Sequence, residues 1–117
     1  MTDLDELIAA VEAGSFDADT ERKAPRFNAF ADAFEVALGM KPSYADGWGA
    51  YRGSLDAALR LHEALLPGWI WNVVESETTV WPGYPGDPKD HQDGYCEGNP
   101  ARAWLLAILR AVKARGE

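Results

Sequence analysis

Asp87, Asp90, His91, Asp93 and Cys96 gather donors suited to metal binding or nucleophilic chemistry into one short stretch. Imidazole, thiolate and carboxylate are the usual zinc ligands, so a small metal-binding protein or metal-dependent hydrolase is one reading of this segment. The spacing argues against it, because the stretch holds one Cys and one His and matches no established ligand pattern. Calcium fits no better: in a helix-loop-helix calcium site the oxygen ligands alternate at every second position and finish on a bidentate Glu. Asp87, Asp90 and Asp93 recur every third position instead. A Cys96 pair with His91 or His62 has the elements of a nucleophile and its base. Asp93 and Glu97 would disfavour the thiolate it needs, and a chain rich in Gly and Pro sets no geometry. No phosphate-binding loop is present, since Gly47, Gly49 and Gly53 follow no strand and precede no Lys. His62 falls on or beside the apolar face of a helix, where a satisfied core or boundary histidine is the simpler account.

Aromatic residues offer a second kind of chemistry, recognition rather than reaction. Tyr44, Trp48 and Tyr51 punctuate a turn-rich stretch from Lys41 to Gly53, and Trp81, Tyr84 and Tyr95 flank a long segment rich in Gly and Pro. Tyr and Trp are common interface anchors, so these six form the candidate protein-binding surface. Aromatic turns also cover core edges, and covering is the favoured role for Lys41 to Gly53.

The elements that must hold these groups start from Gly53 to Ser76. Ser54 is a good N-cap and Asp56 suits the first turn. Leu55, Ala58, Leu59, His62, Leu65 and Leu66 then share one helical face. Pro67 and Gly68 stop that helix. The following WIWNVVES has the types of a strand, apolar on both faces, and so expects cover on both sides or a ligand on one. A second short strand, Thr78 to Trp81, pairs with it antiparallel. The segment from Trp81 to Gly98 is long for a structureless connection, so it hides a third strand near Gln92 to Glu97 or is functional. Asn99 caps a final helix with Pro100 in its first position, running to about Ala114 and apolar nearly all round.

Upstream, Thr2 to Ala13 reads as a capped helix with Leu4, Leu7, Ile8 and Val11 on one face. Ser15 to Pro25 has no periodicity and reads as a linker. A helix over about Arg26 to Leu38 places Phe27, Phe30, Phe34 and Leu38 in a stripe, and core packing explains such a stripe. The expectation is one α+β domain over 1–117: a small antiparallel sheet packed with helices as an α-β-α sandwich. Within it, 51–114 is an α-β-β-α core and 1–39 an N-terminal helical segment.

Nineteen acids against eleven bases give a net charge of −8, which works against direct nucleic-acid binding. Asp3, Asp5, Glu6, Glu12, Asp17, Asp19 and Glu21 concentrate that charge near the N-terminus. Such a run is ordinarily a solvated face, with imitation of a phosphate backbone the sharper alternative. Cys96 is the single cysteine, so no internal disulfide framework exists. No signal peptide or span of roughly 20 apolar residues is seen, and the expected setting is the cytoplasm, without a membrane partner.

SLDAALRLHEALLPGW, an aromatic strand, a Gly/Pro-rich stretch and NPARAWLLAILRAV together resemble the phage ABA sandwich domain family of tailed phages and prophages. LDELIAAVEAG resembles the start of many such proteins. The resemblance covers Tyr51 to Val112 and, more loosely, Leu4 to Gly14; it implies an α-β-α arrangement and carries no established activity or functional residues. The resulting expectation is a non-enzymatic accessory protein that works in a bacterial host cell by binding a protein, such as a host or defence protein. It needs no cofactor and is open to homodimerisation through its aromatics. The alternatives are the metal-binding or hydrolytic reading of the Asp/His/Cys segment and a structural subunit of a virion or assembly.

Overall fold

The computed structural model describes residues 3–16, 29–38, 44–82 and 91–116. Its elements are α1 (Asp3–Ala13), α2 (Ala29–Leu38), α3 (Tyr44–Tyr51), α4 (Leu55–Leu65), β1 (Ile70–Val74), β2 (Glu77–Trp81), β3 (Gln92–Tyr95) and α5 (Pro100–Gly116). The strands form one antiparallel sheet in the order β1-β2-β3. This is the α+β architecture the patterning predicts. The third strand is present, so the expected α-β-β-α core is α-β-β-β-α.

The local signals act as their chemistry requires. Ser54 is the N-cap of α4, its hydroxyl accepting from the Ala57 amide at 3.1 Å. Asn99 caps α5, its Oδ1 accepting from the Arg102 amide at 3.0 Å, and Pro100 needs no partner for an amide it lacks.

α5 is the buried spine. Ala101, Leu105, Ala107, Ile108, Leu109 and Ala111 are inaccessible to solvent. Its small residues let the sheet come close. At Gly94 a Cβ would overlap the Ala103 carbonyl oxygen and stand 2.7 Å from the Ala107 amide nitrogen, so strand β3 lies directly on the helix backbone. The helix packs on all three strands, and α1, α3 and α4 also dock against it. Ion pairs of Arg110 with Glu12 and of Lys113 with Asp5 fasten α1 to its flank.

Two expectations are corrected. Within the expected turns, Tyr44–Tyr51 is helix α3, although Tyr51 is buried in the core and Trp48 packs against it. Gly49 serves packing, because a Cβ on it would come within 2.7 Å of the Ala57 Cβ where α3 meets α4. On α4, Leu55 is 46% exposed, and Ala57 and Leu61 join Ala58, His62 and Leu65 in the buried set. β1 is covered on one side: Val73 packs against the core and Trp71 stacks on Trp104, while Ile70 and Val74 are exposed on the other face. In the Phe stripe, Phe34 is fully buried, as core packing predicts, while Phe27 and the side chain of Phe30 lie outside the described residues. So does most of the expected linker, 17–25.

Two outcomes follow for stability. Gly94→Ala forces β3 off α5 and is expected to cost about 3 kcal/mol or more, read as a lowered urea midpoint; an unchanged midpoint contradicts the contact. Thr78 is fully buried and, among the described residues, its hydroxyl has no hydrogen-bond partner. Thr78→Val, which keeps the shape and removes the unsatisfied group, is expected to stabilise the fold by about 1 kcal/mol in the same assay.

Candidate interaction surface

The hairpin register sorts the strand residues onto two faces. Trp71 stands opposite Val80 and Val73 opposite Thr78, and in turn Thr78 faces Gly94. Val80, Thr78 and Gly94 are buried, so this is the face against α5. The other face carries Ile70 opposite Trp81, Asn72 opposite Thr79 and Asp93, and Val74 opposite Glu77 and Tyr95. Among the described residues no helix packs on it. Val74 is 57% and Tyr95 63% exposed. His91, just before β3, stacks on Trp81 at 5.1 Å between centroids, and Thr79 donates to Asp93 at 2.7 Å.

A second feature borders the β1 edge. Trp71 stacks on Trp104 of α5 at 5.5 Å and meets the His62 ring edge-on at 5.1 Å. Trp104 Nε1 donates to His62 Nδ1 at 3.2 Å. His62 Nε2 lies 2.9 Å from the Trp69 carbonyl oxygen. Both contacts select one form, the neutral imidazole with its proton on Nε2, because a second proton on Nδ1 would point at the indole N–H. Burial lowers the pKa of His62 below its ordinary 6.5, outweighing the Trp69 carbonyl and the Glu63 charge, which act the other way. The satisfied core histidine is what the helical spacing predicts. Beside it a groove of about 370 Å³ opens between the end of α4 and the strand, walled by Leu66, Pro67, Trp69 and Trp71.

The six aromatics of the predicted interface do not come together. Tyr51 is inaccessible and tied in from every side, a correction to its placement on a surface. Its hydroxyl accepts from the Phe16 amide at 3.1 Å, its carbonyl accepts from Arg102 Nε at 3.0 Å, and the Arg102 guanidinium lies 3.8 Å above its ring. Trp48 is half-buried, stacked on Tyr51 at 5.5 Å between centroids. Tyr44 opens α3, but its side chain, like all of Tyr84, lies outside the described residues. Trp81 and Tyr95 share the open sheet face. Sequence reasoning missed Ile70, Asn72 and Val74 beside them, although the alternation in WIWNVVES places those three on one side.

The donor cluster is also dispersed. Asp87 and Asp90 lie outside the described residues. His91 is engaged with Trp81, Asp93 with Thr79, and the half-buried Cys96 anchors the chain through its amide to the Ser76 carbonyl at 2.9 Å. Both ring nitrogens of His62 are occupied, which removes it as a base for Cys96. Among the described residues, no group of three or more His, Cys, Asp or Glu could hold a metal ion. None of their helices is long and apolar enough to cross a membrane.

The lowered His62 pKa fixes a sign. The unfolded chain takes up a proton below pH 6.5 that the folded chain resists, so the contribution of His62 is complete above 6.5 and declines as pH falls toward its folded value. The stability advantage of wild type over His62→Phe is therefore expected to be largest at neutral pH and to shrink on acidification. Parallel urea curves for the two proteins at each pH check this, and a constant gap contradicts it. In comparisons with known proteins, no family model, curated protein or solved structure matches the chain.

Proposed function

We propose that this is a non-enzymatic binding protein of phage or prophage origin that acts by docking a protein of the phage or its host, such as a component of a defence complex. The open sheet face carries the reading. It sets Ile70, Val74, Trp81 and Tyr95 around the small polar centre of Asn72 and Thr79. Large apolar side chains gathered on one uncovered face are a usual mark of protein recognition. The face also bears Glu77 and Asp93 on a chain of net charge −8, so its complement is an apolar surface with a basic rim. The resemblance of the α4-strand and α5 blocks to the phage ABA sandwich domain family supports the phage origin, and the cytoplasm of a bacterial host is the setting it suits.

The acidic N-terminal helix supports phosphate imitation less well. Asp5 and Glu12 are spent on Lys113 and Arg110, holding α1 to the core.

Capture from bacterial lysate, with and without phage infection, tests the proposal. The bait is the full chain, compared with a variant carrying Tyr95→Asp and Trp81→Ser. A defined protein retained by the wild type is expected to be lost from the variant, and to elute with rising salt. Recovery of the same proteins at equal strength by both baits would remove the open face as the binding surface.

A further inference from the structure

We propose that two copies of this chain join along the free edge of β1, antiparallel about a two-fold axis at Asn72, into one continuous sheet. Among the described residues β1 pairs with β2 alone. The two-residue turn Glu75–Ser76 closes the hairpin between Val74 and Glu77, and Glu75 sits at φ 50, as such turns require. That turn length makes Val74 and Glu77 a pair that exchanges both backbone hydrogen bonds. By alternation Asn72 and Ile70 also aim their amides and carbonyls at β2. Trp71 and Val73 aim theirs away. Trp69 has the same parity, and its carbonyl turns out of the sheet to His62. The open part of the edge is therefore the amides and carbonyls of Trp71 and Val73.

This set is self-complementary. With the axis at Asn72, Trp71 of each copy stands opposite Val73 of the other, and every one of those backbone groups gains a partner. On the open face Ile70 then packs against Val74 of the second copy, and the two Asn72 side chains meet at the axis. Shifting the axis to Trp71 or Val73 leaves part of the set unpaired.

Charge points to the same occupant. At net charge −8 most approaches of two copies are repulsive, yet β1, IWNVV, carries no charge. The proposed register also brings the Glu75 turn of one copy to Trp69 of the other. Arg115, which donates to the Leu65 carbonyl at 2.8 Å, and Glu63 each line a groove that includes Trp69, so that end of the seam carries both signs of charge. The opposite edge, β3, carries Asp93, the kind of charge that guards an edge strand. This pairing goes beyond the proposed docking function, whose test uses Tyr95 and Trp81 and is independent of it.

Sedimentation equilibrium of the full chain reads the outcome. The expected species has twice the 12.8 kDa mass of one chain. Asn72→Lys sets two ammonium groups against each other at the axis without touching the β1–β2 bonds, and is expected to weaken the dimer about tenfold or more. Tyr95→Lys, on the same face but the other edge, is expected to leave it intact; circular dichroism verifies that both variants fold. For the register, Asn72→Cys in a Cys96→Ser background is expected to give a covalent dimer with diamide. A monomer at every concentration, a dimer indifferent to Asn72→Lys, one lost in Tyr95→Lys, or a dimer that fails to cross-link at position 72 would each overturn the proposal.

Discussion

The contact between Gly94 and the backbone of α5 is the constraint on which the rest of the structure depends. A sheet of short strands has little apolar surface of its own, and it is held by lying as near the helix as the absence of a side chain allows. The same closeness explains the alanines at 103, 107 and 111, which keep the facing stripe of α5 low. Because one face of the helix is given to the sheet, its other faces are left for α1, α3 and α4. The helical layer is thus gathered around α5, and the far face of the sheet is left open.

Two buried polar residues register this layer. Tyr51 joins the end of α1, through the Phe16 amide, to α5, through Arg102 and Asn99. His62 joins α4 to Trp104 of α5 and to the start of β1 through the Trp69 carbonyl. Buried groups of this kind are costly unless satisfied, and so they allow few alternative packings. Apolar packing could tolerate a helix sliding by part of a turn; these hydrogen bonds do not.

Much of the architecture was legible because it rested on local chemistry. Ser54, Asn99 and Pro100 announce helix starts that any tertiary setting would respect, and the apolar run of α5 required burial. α3 was not legible, since Gly47 and Gly49 carry turn signals and only the fit of Gly49 against Ala57 reveals the purpose of the second. Apolar content on both faces of β1 was visible, but which face stayed open depended on where α5 came to lie. The same limit holds for the candidate surface: Trp81 and Tyr95 qualify by residue type and share a face, whereas Tyr51 has the same type and is buried. Aromatic identity selects for large contact area without saying whether the contact is within the chain or outside it.

The position of α5 as the last described element has a consequence for how the fold is reached. Every earlier element that packs on it leaves the ribosome before its partner exists. α1 can meet α2 and α4 can meet α3 beforehand, but their faces toward α5 stay uncovered, and the β1–β2 hairpin can close only on itself. Because the sheet and α1, α3 and α4 all pack on α5, the shared core is completed only when Ala103 to Ala111 become available. Until then the uncharged strand IWNVV is at its most exposed, and the surrounding negative charge is what keeps nascent chains apart.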